Sequence, residues 1–251
     1  MKYAFAILVL ALGMCCVTAA GATPSTTPPV PVKSLIFDAE FSGPAGAQPS
    51  HRLWGVKSRG KWSGWSHIAL NGTGSVALTA YDDSAGWHTP WLSGKIAYRG
   101  PRYVEASAEV PCGAGTWSAP IWEWSYPYGR APGFENDVAE QLGNEPTSYH
   151  ATLHYWSSEG SDLESGTEIT APSPLCDTFH TYGAAVFSDH VDFYLDGVLM
   201  TSIPASAIGL SNLTTRREVM NIDLAMGGWG GDIAVSGPVV LTVDFIHVYA
   251  M

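Results

Sequence analysis

The chain has 251 residues, a length that suits one domain with a substantial buried core. Its 23 acidic residues against 12 Lys and Arg give a formal net charge of −11. A field of this sign repels polyanions, so nucleic acid and anionic membranes are excluded as expected partners, whereas a neutral polymer would be indifferent to it.

Residues 1–22 have the pattern of a secretory signal peptide. Lys2 provides a positive start, residues 4–12 form an apolar run, and small residues lead to a cleavage site near Ala22. This run is well short of the roughly 20 apolar residues of a membrane span. A lipoprotein signal at Cys15 fits less well, because Met14 stands where a small residue is expected. We therefore expect a secreted, extracellular protein.

The segment that follows, TPSTTPPVPV at residues 23–32, is rich in Pro and Thr and predicts a short extended spacer. The folded domain is then expected to cover residues 33–251. Cleavage of the signal peptide leaves two cysteines, Cys112 and Cys176, which is the number needed for one disulfide in an oxidising compartment. Two free thiols are the alternative.

Alternation of apolar and polar residues with period two dominates the domain. In YVEASAEVP, Val104, Ala106 and Ala108 alternate with polar neighbours, which predicts a strand with one wet face. HVDFYLDGVLM alternates in the same way and contains Asp196-Gly197, a favoured hairpin turn. Similar patterns occur at residues 75–81, 149–156 and 239–250. With 27 Gly and 17 Pro, the sequence predicts an all-β sandwich of two antiparallel sheets.

The stretch GFENDVAEQLG, residues 133–143, places Glu135, Asp137 and Glu140 within six positions. A short acidic helix is one interpretation, because Phe134, Val138 and Leu142 recur every four residues. On a strand, the first two carboxylates share a face and the third points away. A β-bulge near Val138 would add one residue and return the third carboxylate to the first face.

Such a cluster suits the hydrolysis of glycosidic bonds. Two carboxyl groups about 5 Å apart can attack the anomeric carbon and protonate the leaving oxygen, and like charge helps to keep one of them protonated. A calcium site is the competing interpretation, but the spacing lacks the alternating ligands of a calcium loop. Nucleophilic-serine, phosphate-loop and C-x-x-C motifs do not occur in the sequence.

Glu135-Asn-Asp-Val-Ala-Glu140 resembles the E-x-D-x-x-E signature of glycoside hydrolase family 16, in the bulged form of its laminarinase-like (endo-1,3-β-glucanase) branch. Further segments resemble the family in the same order: LIFDAEFSGPAG, VPCGAGTWSAPIWEW, FHTYGAAVFSDHVDFYLDG, IDLAMGGWGG and VDFIHVYA. The resemblance covers roughly residues 33–251. It implies a concanavalin A-like β-jelly roll with a concave substrate cleft.

The resemblance also implies roles for individual residues. Glu135 would be the nucleophile, Asp137 its hydrogen-bonded assistant and Glu140 the general acid/base. The residues implied to line the cleft and bind substrate are Trp117, Trp122, His154 and Trp229. Stacking of flat rings on sugar faces gives the tryptophans an independent rationale, although some of the ten Trp residues are expected to fill the core instead.

Three residues depart from the family pattern, and one of them, Phe187 in place of the usual Trp, is expected to be a conservative core change. Asn136 stands where Ile or Leu is usual, and its side chain is expected to point into the sandwich, where a buried amide needs partners. Ser107 replaces an arginine that could contact sugar, so it is expected to affect subsite preference.

The sequence therefore predicts a secreted endo-acting β-glucan hydrolase, with β-1,3-glucan (laminarin) as the expected substrate and a retaining double displacement as the mechanism. The alternatives are a non-catalytic lectin on the same jelly roll, a transglycosylase, and a hydrolase of mixed-linkage glucan, agarose or carrageenan. Catalysis should need no cofactor or metal, although a structural calcium to which Glu40 or Asp244 contributes is conceivable from the resemblance. The expected partner is the polysaccharide alone, with a monomeric enzyme and no nucleic acid or membrane.

Overall fold

A computed structural model describes residues 27–126 and 131–251. Almost all of its regular structure is β, numbered here β1 to β16 in chain order, with two short 3-10 helices at Ala205–Ile208 and Gly228–Gly230. The strands form two sheets, and every neighbouring pair of strands within them is antiparallel. The signal peptide expected at residues 1–22 lies outside the described residues.

The outer sheet has nine strands: β1 (Ser34–Ala39), β3 (Ile68–Leu70), β4 (Val76–Asp83), β5 (Gly86–His88), β7 (Arg102–Glu109), β12 (His180–Val186), β13 (His190–Leu195), β14 (Val198–Pro204) and β16 (Val239–Ala250). The cleft sheet has seven: β2 (Trp54–Val56), β6 (Trp91–Gly94), β8 (Thr116–Ser125), β9 (Gly133–Leu142), β10 (Ser148–Trp156), β11 (Asp162–Thr170) and β15 (Glu218–Met226). The order in the cleft sheet is β11-β10-β9-β8-β15-β6-β2, which places β9 near its middle.

The period-two segments form strands where the sequence predicts them. The hairpin at Asp196-Gly197 joins β13 to β14, and both turn residues have positive φ, 51° and 77°, as a type I′ turn requires. Residues 133–143 form strand β9, so the helical interpretation of this stretch is wrong. The two-sheet sandwich expected from the alternation is confirmed.

The core lies between the sheets. Val104, Ala106 and Ala108 of β7 face the same buried cluster as Phe134 and Val138 of β9. Each sheet contributes one apolar face to this cluster, which holds the two sheets together by removing apolar surface from water. The catalytic candidates therefore stand on the opposite face of the cleft sheet, away from the core.

The prediction that β7 has one wet face is wrong. Its outward-pointing residues are buried, with Tyr103 at 1% and Glu105 at 3% exposure. The alternation marks the two faces correctly, but a second apolar cluster containing Tyr103, Tyr194 and Tyr249 covers the outer face. Polar residues in a strand thus identify the face that is not the main core, which is not always the face in water.

A disulfide and an N-terminal segment add contacts outside the two sheets. Cys112 and Cys176 are joined by a disulfide with their Cα atoms 5.4 Å apart, which confirms the predicted pairing. Val30 and Val32, at the end of the Pro- and Thr-rich segment, pack against the cluster on the outer face. Packing therefore begins before Lys33. Within the described residues, helices of the length and apolarity needed to cross a membrane do not occur.

Candidate active site

A β-bulge in β9 brings the three carboxylates onto one face. In the pairing with β10, Asp137 lies opposite Thr152 and Glu140 lies opposite His150. Three residue steps on β9 are thus matched by two steps on β10, so one extra residue is inserted around Val138. The insertion resets the alternation between Asp137 and Glu140. The bulge expected from the sequence is therefore confirmed.

The structure brings Glu135, Asp137 and Glu140 together along one cleft. All three line both of two adjoining cavities on the open face of the cleft sheet. Asp137 and Glu140 are buried, at 6% and 8% exposure, and Glu135 is half-buried. Neighbouring strands hold β9 on both sides, with β8 against one edge and β10 against the other. The backbone that carries the carboxylates is therefore fixed by two ladders.

Each outer glutamate accepts a hydrogen bond from a different tryptophan. The indole N–H of Trp156 donates to Glu135 Oε2 at 2.7 Å, and the indole N–H of Trp117 donates to Glu140 Oε1 at 3.0 Å. Both indoles are half-buried. Because a donor favours the ionised acceptor, each bond counteracts part of the charge crowding and fixes the orientation of its carboxylate.

The central carboxylate is paired with a histidine. His154 Nε2 lies 3.2 Å from Asp137 Oδ2, and the other ring nitrogen, Nδ1, lies 2.9 Å from Asp162 Oδ2. His154 therefore stands between two carboxylates. This places it in the cleft and in direct contact with the carboxylate cluster.

Burial and mutual repulsion set the protonation of the cluster. Desolvation raises the pKa of both Glu135 and Glu140 well above the ordinary glutamate value, and the neighbouring Asp137 raises both further. Desolvation also raises the pKa of Asp137, with additional contributions from Asp223 and Asp162. The cluster therefore retains at least one proton near neutral pH, which is the state that general acid catalysis requires.

A lysine from the β2–β3 connection interacts with Glu135. The pKa of Lys57 is lowered to about 8 by desolvation, while the charges of Asp223 and Glu135 oppose this shift. The attraction between Lys57 and Glu135 is mutual, so it favours the ionised form of Glu135. The pKa of Glu140 is raised by Asp223 as well as by Asp137. The pKa of Glu135 and the pKa of Glu140 are both raised to about 9, so the nucleophile and acid roles of the two glutamates come from the resemblance and not from a difference in their pKa.

Two cavities extend from the carboxylates in opposite directions across the strands. The larger, of about 620 Å³, lies over β10 and β11 and is also lined by His150, His154, Trp156, Glu164 and Trp229. The smaller, of about 210 Å³, lies towards β15 and β6 and is lined by Lys61, Trp62, Trp91, Trp122 and Asp223. Their shared wall contains the three carboxylates.

All four predicted cleft residues line this site. Trp117 borders both cavities, Trp122 borders the smaller one, and His154 and Trp229 border the larger one. The indole N–H of Trp122 donates to Asp223 Oδ1 at 2.8 Å, and the ring of Trp229 packs edge-on against Trp117, with ring centres 5.6 Å apart. Trp229 is 46% exposed, which places it at the lip of the cleft.

The sequence interpretation missed several cleft residues. Trp156 is the hydrogen-bond donor to Glu135, and its position two residues after His154 on one strand face was the available signal. Asp223 on β15 and Lys57 in the β2–β3 connection lie near the carboxylates only because of the order of strands in the sheet. Local spacing contains no signal for them.

Asn136 points into the sandwich, as expected, and its partner is an ion pair. Its amide N–H₂ donates to Glu123 Oε2 at 2.7 Å, and the Nε–H of Arg102 donates to Glu123 Oε1 at 2.6 Å. All three side chains are fully buried. The amide that replaces an aliphatic residue therefore satisfies Glu123 with its N–H₂ group, while its own Oδ1 is buried without a partner among the described residues.

Ser107 is not a cleft residue. It lies on β7 in the outer sheet, pairs with Thr181 and Phe245, and is 1% exposed. Since the carboxylates stand on the other sheet, the expectation that position 107 affects sugar contacts is wrong.

Among residues 27–126 and 131–251, two groups of side chains offer donor atoms close enough to bind a metal ion. Asp38, Glu40 and His247 meet on the outer sheet, and His154, Asp162 and Glu164 meet at the cleft. Glu40 Oε1 lies 2.6 Å from His247 Nε2. Asp244 instead accepts a hydrogen bond from Ser75 and is not in either group. Of the two residues suggested for a structural calcium, Glu40 therefore belongs to one of these groups and Asp244 does not.

The structure is a two-sheet β sandwich, and β9, an inner strand of the cleft sheet, presents three carboxylates to a tryptophan-lined cleft. These features are those of glycoside hydrolases with a jelly-roll fold. The family model for Glycosyl hydrolases family 16 matches residues 62–246, most of the chain. The protein belongs to this family. A comparison with curated proteins gives no significant match.

Solved structures of glucanases share the fold. An endo-β-1,3-glucanase from Pyrococcus furiosus aligns with a TM-score of 0.70 at 22% identity, covering 86% of this chain and 94% of that one. A laminarinase catalytic domain from Thermotoga maritima gives 0.72 at 20% identity, covering 87% and 98%. A protein of Mycobacterium tuberculosis described as a pseudo β-1,3-glucanase gives 0.71 at 21% identity, covering 86% and 99%. At these identities the likeness concerns the fold.

Proposed function

We propose that this protein is an endo-acting hydrolase of β-1,3-glucan that retains the anomeric configuration. One observation carries the proposal: the bulge in β9 directs Glu135, Asp137 and Glu140 into the wall shared by two tryptophan-lined cavities. Two carboxyl groups that flank a bound glycosidic bond are the machinery of double displacement.

In the first step, a carboxylate oxygen of Glu135 attacks the anomeric carbon while the bond to the leaving oxygen breaks. Glu140 donates its proton to that oxygen, so the departing chain leaves as a neutral alcohol. The Trp156 and Trp117 hydrogen bonds hold the two carboxyl groups in orientation. Asp137, which contacts His154, raises the pKa of Glu140 and so favours the proton on that group.

In the second step, ionised Glu140 removes a proton from water, and the oxygen of that water attacks the anomeric carbon. The bond to Glu135 breaks and its carboxylate is restored, while Glu140 keeps the proton that it took from the water. Two displacements at one carbon give net retention. A sugar hydroxyl in place of water would give transglycosylation with the same residues, and analysis of product lengths separates the two outcomes.

Endo action is supported by the position of the carboxylates between two cavities. A chain bound across the strands can extend on both sides of the scissile bond. Trp117, Trp156 and Trp229 provide flat surfaces on one side, and Trp62, Trp91 and Trp122 on the other. The cleft contains the exposed acids Glu164 and Glu168, which disfavour sulfated galactans such as carrageenan.

The experiment is the assay of Glu135→Gln and Glu140→Gln for reducing ends released from laminarin. Each variant keeps shape but removes a nucleophile or a titratable acid, so we expect a loss on the order of a thousandfold or more. Glu168→Gln, which makes the same change on the cleft wall without touching the cluster, is the control. An unchanged rate in either of the first two variants would defeat the assignment. A panel of laminarin, lichenan, agarose, κ-carrageenan and xyloglucan identifies the substrate.

A non-catalytic lectin is the second candidate, because a protein with this fold is described as a pseudo β-1,3-glucanase. A binding protein needs the aromatic cleft but has no use for a protonated glutamate beside an ionised one. Tight laminarin binding without product after long incubation would favour this candidate.

We further propose export with removal of residues 1–22, a monomeric state, and catalysis without a cofactor. The disulfide supports export, since such bonds persist in oxidising compartments. Mass spectrometry of the secreted protein tests the cleavage site, and light scattering tests the oligomeric state. Activity that survives dialysis against a chelator tests the last point.

A further inference from the structure

At the rim of the larger cavity, three donor atoms of different side chains converge. His154 Nδ1 lies 2.9 Å from Asp162 Oδ2 and 3.7 Å from Glu164 Oε2, and all three atoms lie within 4.8 Å of one another. A tetrahedral zinc ion bound at 2.0–2.2 Å separates its ligands by about 3.4 Å. The observed separations bracket this value, so small rotamer changes suffice to form a site.

The strands fix this arrangement. Glu164 on β11 lies directly opposite His154 on β10, and Asp162 precedes it by two residues, on the same strand face. One side chain thus comes from one strand and two come from its neighbour. Such a cross-strand set is held by the ladder and not by a flexible loop.

Carboxylates crowd around one imidazole at this point. His154 contacts Asp137 through Nε2 and Asp162 through Nδ1, with Glu164 close behind, so one imidazole faces three carboxylates. Asp162 Oδ1 is buried from solvent and accepts no hydrogen bond from the described part of the chain. When Nε2 donates its proton to Asp137, the lone pair of Nδ1 points at another carboxylate, an arrangement that a cation between the two relieves. A carboxylate behind a ligating histidine is the usual support for such a ligand.

We propose that His154 Nδ1, Asp162 Oδ2 and Glu164 Oε2 bind a divalent transition-metal ion of the zinc type at the rim of the cleft. An imidazole with two carboxylates suits zinc, whereas calcium requires six to eight oxygen ligands. Glu164 is 69% exposed, so a fourth ligand position opens to solvent. Because His154 and Glu164 line the larger cavity, the bound ion occupies space that a sugar chain would use and acts as a competitive inhibitor.

The test is calorimetric titration of the full protein with zinc chloride at about pH 7.5, after removal of metals with a chelator. We expect Asp162→Asn and Glu164→Gln each to weaken zinc binding on the order of 10–100-fold. Glu168→Gln is the matched control, because Glu168 lies on the same strand and face and loses the same charge. It should change the affinity less than about twofold. Cobalt in place of zinc should give the visible absorption of a four-coordinate ion.

Three results would overturn the site: no zinc binding by the unaltered protein, equal weakening in Glu164→Gln and Glu168→Gln, or binding that survives Asp162→Asn but is lost in Glu40→Gln. The last result would place the ion on the outer sheet. Competition rests on the proposed function and is tested separately, by a rise in the KM for laminarin with zinc at constant kcat. Failure of the proposed function would leave laminarin uncut in zinc-free buffer, which is distinct from a failure to bind zinc.

Discussion

The two indole hydrogen bonds make a paired prediction about pH dependence. Trp156→Phe removes the donor to Glu135, and Trp117→Phe removes the donor to Glu140, while each keeps an aromatic ring. A donor stabilises the ionised carboxylate, so its loss raises the pKa of the glutamate that it served. The two variants therefore raise the pKa of different groups.

The direction at each limb follows from the assigned roles. In the proposed mechanism Glu135 acts in its ionised form, so a higher pKa for Glu135 moves the acid limb to higher pH and narrows the profile. Glu140 acts in its protonated form, so a higher pKa for Glu140 moves the alkaline limb to higher pH and widens the profile. A hydrogen bond to a charged group contributes about 1.5–3 kcal/mol, and 1.36 kcal/mol corresponds to one pH unit. Because both indoles are half-buried and water can partly replace them, we expect a displacement of about one pH unit.

The assay is kcat/KM on laminarin across the pH range, which reports the ionisation of the free enzyme. Trp229→Phe is the control, because its ring packs on Trp117 at the lip of the cleft, and neither limb should move. If Trp156→Phe moved the alkaline limb and Trp117→Phe the acid limb, the roles of the two glutamates would be reversed. If neither limb moved, the hydrogen bonds would not control catalysis.

Three further changes have expected outcomes. Asn136→Leu leaves Glu123 Oε2 buried without its amide donor, and should lower the free energy of unfolding in urea by about 1–3 kcal/mol; a gain in stability would contradict this account. The double change Cys112→Ser and Cys176→Ser removes a disulfide that spans a sequence separation of 64. It should lower the free energy of unfolding in urea by about 4 kcal/mol. An unchanged midpoint would show that the disulfide does not constrain the unfolded chain. Trp229→Ala should raise the KM for laminarin about two- to tenfold with little change in kcat, and an unchanged KM would remove Trp229 from the binding surface.

Much of the fold could be predicted from alternation alone, because side chains on a strand have a fixed period. Strand β16 coincides with the predicted residues 239–250, and β10 begins one residue before the predicted segment. The bulge followed from one physical demand, that three charged groups on a strand serve a single site. The outer face of β7 could not be predicted, since its cover comes from tyrosines far along the chain.

Some residues of the candidate site could be predicted from the sequence, and others could not. Glu135, Asp137 and Glu140 lie in one short segment, so local geometry relates them. Trp156 shares a strand face with His154 and could have been included on that ground. Lys57 and Asp223 meet the cluster only because β15 and β6 lie beyond β8 in the sheet, and sequence spacing contains no information about that order.

The central claim is that Glu135 and Glu140 act on opposite sides of one glycosidic bond in two successive displacements. Proton NMR of the first product released from laminarin tests it most directly, before the sugar interconverts its anomers in water. The account predicts the β anomer first, with the α anomer appearing only later by mutarotation. Initial formation of the α anomer, or no product at all, would contradict it.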